Sequence, residues 1–341
     1  MSMIQNIQKK GNTLEFDFIN DSTHIHPSLS NSIRRTILSD IDTWAVDSTK
    51  IQFYENTSIL DNEFISHRLT LIPIRSDVQD IDYDDIHIQC QKRNDTDDVM
   101  SVYVSDFVVT NKQTKEVISN EKIFPYMRIL LLKLRIQQSI SFECSLKLGS
   151  PVKGDTSIHC PVCTCVQTFG ADETKIREDT KNMSNEEKQT YMVMESVRNY
   201  KKNSRNEAEI IHFVIESIEQ FEVTDIMNMG IDLLVKRFVR FKEDLLSQNE
   251  RIEVKEGSVY EDIYEISVDG ETDTLANVLT AYIGFREEVN YVGYVIRHPL
   301  MKNVLFRIKL NENNTIQRIY QVMAEVIDEI VGILNQMKES F

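Results

Sequence analysis

Proline and glycine are scarce, six and ten residues in a chain of 341, and each scarcity removes a class of protein. Collagen-like and low-complexity architectures are excluded. So are the glycine-rich loops that cradle phosphates, since neither a P-loop pattern nor Gly-x-Gly-x-x-Gly occurs. Long apolar runs are missing as well, none approaching the roughly 20 residues needed to span a bilayer. Residues Met1 to Gly11 are polar and lack the apolar core of a signal peptide, so the expectation is a soluble intracellular protein without membrane contact. Cysteine is limited to Cys90, Cys144, Cys160, Cys163 and Cys165, an odd number clustered late, which is not a disulfide framework. Positive charge is in deficit: lysine plus arginine total 38 against 54 acidic residues, a net charge of −16. That argues against a module that grips DNA or RNA itself, because phosphate binding needs a concentrated positive face. Membership of a larger nucleic-acid machine stays open. No His-Glu-x-x-His or Gly-x-Ser-x-Gly motif is present, so no catalytic centre is expected.

What is present suffices for real cores, with 41% hydrophobic residues and a length that suggests two domains. The 39 isoleucines point to an AT-rich genome. Most informative is an internal repeat. Leu14 to Ile19 alternates like a strand and leads into a helix from Pro27 to about Ile41, whose apolar positions Leu29, Ile33 and Ile37 share one face. Far downstream, Ile263 to Val268 alternates in the same way and leads into a helix from Thr274, with Leu275, Leu279 and Ile283 on one face. The two helices share a Leu-x-Asn-x-apolar pattern at Asn31 and Asn277. Each half ends in a long amphipathic helix. Met227, Ile231, Leu234, Phe238, Phe241 and Leu245 follow 3-4 spacing, as do Ile319, Met323, Val326, Ile330, Ile333 and Met337. Such a stripe either covers its own sheet or packs against other helices at a shallow angle. Two strand-helix-long-helix units in one chain would form an intramolecular pseudo-dimer.

Between the ends of the first unit lies a strand-rich stretch, with strands expected at Ile51–Tyr54, Ile86–Gln91, Met100–Val109 and Ile140–Leu148. Residues 170–206 are dense in charged and amide side chains and read as a solvated loop with some helix. One segment invites chemistry: His159, Cys160, Cys163 and Cys165. A Cys-x-x-Cys supplies two zinc ligands, but a closed site needs four, and no second such pair exists. A thioredoxin-like redox pair is the other reactive reading. Thr164 to Phe169 alternates as a strand, which favours small half-buried strand residues over both.

Several motifs resemble one family. Pro27 to Asp47, Asn56-Thr57-Ser58, and Asp61 through Pro73, which contains His67-Arg68-Leu69-Thr70-Leu71-Ile72, resemble the larger α-like subunit of cellular RNA polymerases. That subunit is the archaeal D type and the third-largest subunit of RNA polymerase II. His212 to Ser217 is similar to its return strand. Asp273-Thr274-Leu275-Ala276-Asn277-Val278-Leu279 and Gly293 to Leu300 resemble the smaller partner, the archaeal L type. The resemblance covers nearly the whole chain apart from about 35 residues after Gly170. Departures are Asp273 and Ala276 where the smaller subunit has His and Gly, and Thr280 where Arg is typical. Thr156 to Val162 fits the larger subunit's His-Ala-Lys-Trp-Ser-Pro-Val segment without gaps, so the cysteines replace strand residues.

The resemblance implies an α+β fold: two α-like dimerisation units fused as an intramolecular pseudo-heterodimer, with a β-rich insert. The units expected are residues 1–46 plus 207–248; an insert at 47–206 carrying the polar loop 170–206; and a smaller unit at 249–341. Leu29, Ile33, Ile37, Leu234, Phe238, Phe241, Leu275, Leu279, Met323, Val326 and Ile330 would form the dimer core. Asn31, Arg34 and Arg35 would face the second-largest polymerase subunit, with His67, Arg68 and His298 at further subunit contacts or fixing local packing. The implied role is a non-catalytic assembly platform that docks the two largest subunits and small zinc-bearing ones. Nucleic acid contact would be slight, and the chain would hold no cofactor, magnesium belonging to the largest subunit. Fusion of the pair implies a large DNA virus, with action in a cytoplasmic viral factory, packaging in the virion, or a nuclear site.

Overall fold

The structure, a computed structural model, describes residues 3–20, 25–153, 158–256, 262–298, 300 and 302–341. The chain begins with β1 (Ile4–Lys10), β2 (Thr13–Ile19) and α1 (Pro27–Ser39). Next come β3 (Thr43–Val46), β4 (Gln52–Asn56), α2 (Asn62–Thr70), β5 (Ile86–Arg93), β6 (Met100–Tyr103), β7 (Val108–Asn111) and β8 (Val117–Ile118). These are followed by α3 (Asn120–Ile123), β9 (Leu130–Leu134) and β10 (Ser139–Gly149). The chain continues through β11 (Val162–Phe169), α4 (Glu173–Thr180), α5 (Asn185–Met194), β12 (Ile210–Ser217) and α6 (Val223–Leu246). It ends with β13 (Ile252–Glu256), β14 (Tyr264–Asp269), α7 (Asp273–Ile283), β15 (Val289–Val295), β16 (Asn303–Leu310) and α8 (Ile316–Lys338). Two compact units result. One comprises Met1–Ile37, Cys165–Ile215 and Met227–Phe341; the other comprises Leu38–Thr164 and Glu216–Ile226.

The first unit contains most of both copies of the repeat. Both halves trace strand, strand, short helix, strand, strand, long helix, and their sheets have the same order, β1-β2-β12-β11 and β13-β14-β16-β15. Period-2 alternation explains the buried face of each sheet: Leu14, Phe16 and Phe18 on β2 and Ile211, Phe213 and Ile215 on β12 are at most 2% exposed. Phe16 stacks on Phe213 at 5.3 Å and meets Phe18 edge-on at 5.0 Å. In the second half, Ile266, Val268, Val304, Phe306, Ile308 and Leu310 repeat the pattern. Pro27 opens α1, where its missing N–H costs nothing.

The second unit has its own core. Its main sheet runs β3-β10-β5-β7-β8, and the long β10 pairs successively with β4 and β3 along one side. Phe142 lies at the centre, with Phe107 at 5.6 Å and Phe53 at 5.9 Å, while Trp44 stacks on Tyr83 at 5.2 Å. The stretch Met100–Val109, expected as one strand, is two. The N–H of Tyr103 donates to Asp106 Oδ2 at 2.8 Å, and a 3-10 turn over Val104–Asp106 redirects the chain.

The compact units differ from the expected boundaries at several places. Residues 216–226, expected with the first dimerisation unit, lie in the second compact unit, and 249–341 is part of the first. Residues 38–46 lie in the second unit because β3 hydrogen-bonds to β10, Leu146 opposite Val46. Residues 170–206 lie in the first unit, tied there by Asn203 donating to Asn20 O at 2.8 Å, by Gly170 N donating to Ile210 O at 2.9 Å, and by Glu209 N donating to Lys201 O at 3.0 Å. That segment also holds two capped helices. Asp172 accepts from Lys175 N at the start of α4, and Ser184 forms a capping box with Glu187 at the start of α5.

Candidate functional site: the seam between the two halves

All eleven residues expected in the dimer core are at most 1% exposed, and all belong to the first unit. Burying Leu, Ile or Phe in this way stabilises by about 1.5–3 kcal/mol each relative to exposure. Polar contacts show how the halves pair. On α6, Asp232 and Lys242 face Lys338 and Asp328 of α8 in reverse order, at 2.7 Å and 2.6 Å, so the long helices run antiparallel. The short helices do the same. Ser32 Oγ donates to Thr274 O at 2.6 Å near one end, and Tyr282 Oη accepts from His26 N at 3.3 Å near the other. Where α1 crosses α6, Gly230 lets Ile37 approach so closely that a Cβ would lie 2.5 Å from Ile37 Cγ1.

The Asn31, Arg34 and Arg35 group is half-buried. Arg34 donates twice to Asn31 Oδ1, at 3.0 Å and 2.9 Å, which turns both side chains along their own helix. Arg35 Nε donates to Thr274 Oγ1 at 2.9 Å, so this arginine bridges the two halves. Asn277, its repeat partner's residue, is exposed. Sequence reasoning missed a second bridge. Glu271, 5% exposed, accepts from Arg237 Nε at 2.9 Å and from Arg251 at 3.3 Å, and Arg251 also pairs with Asp244 at 2.6 Å. The only sequence signal was a carboxylate two residues before a helix start, too common to single out.

In the second unit, Arg68 donates to the carbonyls of Leu131 at 2.9 Å and Leu130 at 2.6 Å, pinning α2 to β9. His67 is exposed beside it. His298 is exposed in the β15–β16 connection, where Nδ1 accepts from Leu300 N at 3.2 Å. Pro299, and Thr156 and Ser157 of the family-like segment, lie outside the described residues.

The cysteine segment is not assembled for metal or redox chemistry. Among the described residues no three His, Cys, Asp or Glu side chains converge on a common point. His159, 5% exposed, sits with its Nδ1 3.0 Å from Thr43 O, and Thr43 Oγ1 donates back to His159 O at 2.9 Å. A Cβ at Gly149 would meet the His159 ring at 2.7 Å, so the imidazole is wedged in place. Burial pushes the Cys160 and Cys163 thiols up, and those of Cys90 and Cys144 to about 12. Cys163 Sγ lies 3.5 Å from Glu216 O, the position of a small polar strand residue.

Comparison with known proteins agrees with this geometry. The RNA polymerase Rpb3/Rpb11 dimerisation domain matches residues 21–238, and a second match to that description covers residues 264–340. The chain is 30% identical over 151 residues to the DNA-directed RNA polymerase subunit Rpo3 of Pyrococcus furiosus, covering 43% of this chain and 52% of that protein. It is 29% identical over 196 residues to the mouse DNA-directed RNA polymerases I and III subunit RPAC1, covering 50% and 49%. A conjugation stage-specific protein of Tetrahymena thermophila is 32% identical over 190 residues, covering 48% and 58%. The chain thus spans about half the length of the curated relatives it matches. With the same strand order twice and the two halves paired across one buried seam, the chain belongs to the Rpb3/Rpb11 dimerisation family of RNA polymerase and carries two such domains in tandem.

Proposed function

We propose that this chain is the non-catalytic assembly platform of a multisubunit DNA-directed RNA polymerase, supplying from one polypeptide both members of the α-like pair. One observation carries the reading: two family domains in one chain close on each other within a single compact unit. Pairing inside one chain makes the effective concentration of the second half independent of dilution, so the platform forms without a second molecule. The partners we propose are the two largest polymerase subunits and small zinc-bearing ones, with the active site and its magnesium in the largest subunit. Asn31 and Arg34 on α1 and His67 on α2 are the contact residues proposed. Arg35 serves the seam first, through Thr274. The isoleucine-rich composition and the fused pair favour a large DNA virus as the source, with work in a viral factory and packaging in the virion.

The test is affinity purification of the tagged chain from its native source, with mass spectrometry and a nucleotide-incorporation assay. Two very large subunits in equal amounts, together with RNA synthesis, are expected. Recovery of the chain alone would overturn the assembly role.

A further inference from the structure

Residues 199–209, on the way from α5 to β12, have the charged and amide-rich composition of a solvated loop, yet they fold as a tight hairpin. Lys202 bridges to Ala208, Glu209 N donates to Lys201 O at 3.0 Å, and Asn203 N donates to Glu207 O at 2.9 Å. Asn203 Oδ1 closes the turn by accepting from Arg205 N and Glu207 N, each at 3.0 Å, with Asn206 at φ 65°.

The hairpin is fixed to the first half through Asn20, which follows β2 and is 1% exposed. Asn20 N donates to Glu209 O at 2.8 Å, and its carbonyl accepts from Asn203 Nδ2 at 2.8 Å. Its side-chain amide donates to Glu207 Oε2 at 3.0 Å and to Ala208 O at 3.1 Å. A buried amide engaged on both backbone and side chain sets the hairpin's position, because each group left unpaired would cost its desolvation.

From that anchor the turn reaches one end of the seam. Glu207 Oε1 lies 3.7 Å from His26 Nε2, and the Glu207 side chain is 14% exposed. His26 Nδ1 accepts from Ser28 N at 3.1 Å and so holds the first turn of α1. The other face of the cluster comes from the second half. His26 N donates to Tyr282 Oη at 3.3 Å, and the His26 ring meets that of Phe285 edge-on at 5.8 Å. Phe285 stands just past the end of α7, and the Arg205 guanidinium lies over its ring, 4.5 Å from the centroid. All of these residues belong to the first compact unit.

We propose that the hairpin 199–209 is a clasp on the paired halves. Glu207 holds the start of α1 through His26, and Arg205 holds the end of α7 through Phe285. With the clasp released, this end of the seam opens while the long helices α6 and α8 stay together on their own buried stripes. α1 also carries Asn31 and Arg34, so a bearing of the clasp on subunit docking rests on the assembly role above; the clasp itself does not.

The experiment is native-state hydrogen exchange on the full chain, under conditions where each amide reports its opening equilibrium. Arg205→Ala/Glu207→Ala should quicken exchange at Ser28, Leu29, Phe285 and Arg286 about tenfold, with Leu234 of α6 and Ile330 of α8 unchanged. Arg205→Ala alone should give about two- to fivefold at the same amides. In a Phe285→Leu chain it should add nothing, because the ring it acts through is gone. No quickening, quickening confined to residues 199–209, or the same factor at Leu234 and Ile330 would each overturn the proposal. So would an equal effect of Arg205→Ala with and without the Phe285 ring. Because the measurement is made on the chain alone, failure here leaves the assembly role intact, and that role fails separately on co-purification.

Discussion

Gly230→Ala tests the crossing of α1 and α6 most sharply, because two opposing effects of known sign meet at one atom. Replacing glycine in a helix interior gains about 1 kcal/mol of helix propensity. Here the new methyl would lie 2.5 Å from Ile37 Cγ1 and 3.3 Å from Cδ1. Cγ1 is anchored next to the backbone of a fully buried residue, so the side chain cannot swing clear. Overpacking of this kind costs about 1–3 kcal/mol, and the variant should be neutral to destabilised by about 2 kcal/mol. The Ile37→Ala background reverses the sign. That change alone costs about 2–5 kcal/mol through the cavity it leaves. Adding Gly230→Ala then places a methyl in the void and recovers at least the propensity gain of about 1 kcal/mol. Urea unfolding of the four chains gives the coupling energy, expected at about 1–3 kcal/mol. Stabilisation by Gly230→Ala in the unmodified chain, or the same effect in both backgrounds, would show that α1 and α6 do not cross at this glycine.

Phe238→Asp places a charge in the seam without a partner and should abolish cooperative unfolding of the first unit; a normal thermal transition would misplace the seam. Glu271→Ala leaves Arg237 and Arg251 facing each other without their shared carboxylate and should cost about 3 kcal/mol in chemical denaturation, whereas a cost within error would make that bridge an exposed ion pair. Cys90 and Cys144 should resist iodoacetamide at pH 8 in the folded chain, with exposed Cys163 labelled first by mass spectrometry, because burial holds the first two thiols at about 12. Burial would raise the Asp47 carboxyl, but hydrogen bonds from Thr49 N at 3.0 Å and Thr49 Oγ1 at 2.7 Å, with Lys50 beyond, outweigh it and hold it below its ordinary value. Its contribution is therefore present above the unfolded carboxylate range and lost as pH falls through the lower folded value. Asp47→Asn should flatten the stability profile of the second unit below about pH 4, and an unchanged acid limb would contradict this.

The repeat was legible because burial of a sheet face and of a helix stripe imposes periods of two and about 3.6 residues on any sequence. Phe16 and Phe18, or Phe238 and Phe241, carry that imprint unaided. β1 was invisible for the same reason: Ile-Gln-Asn-Ile-Gln-Lys-Lys is an edge strand with almost nothing buried, so no alternation marks it. α4 and α5 bury no residue either, and their composition reads as solvent. The Asp172 N-cap of α4 and the Ser184–Glu187 capping box of α5 were the available signals. Arg35 shows what a motif leaves open: its Nε bonds Thr274 Oγ1 across the seam, a contact that leaves no periodic trace in the sequence. The strand boundary at 3-10 turn Val104–Asp106 depends on the Tyr103 N–H donating to the Asp106 side-chain carboxylate, which leaves no periodic trace.

The most direct test of the central claim is the copy number of this chain in the purified polymerase, measured by native mass spectrometry. A platform built from both halves of one polypeptide requires one copy and no separate small α-like subunit. Two copies per complex, or an additional Rpb11-type chain bound beside this one, would contradict it.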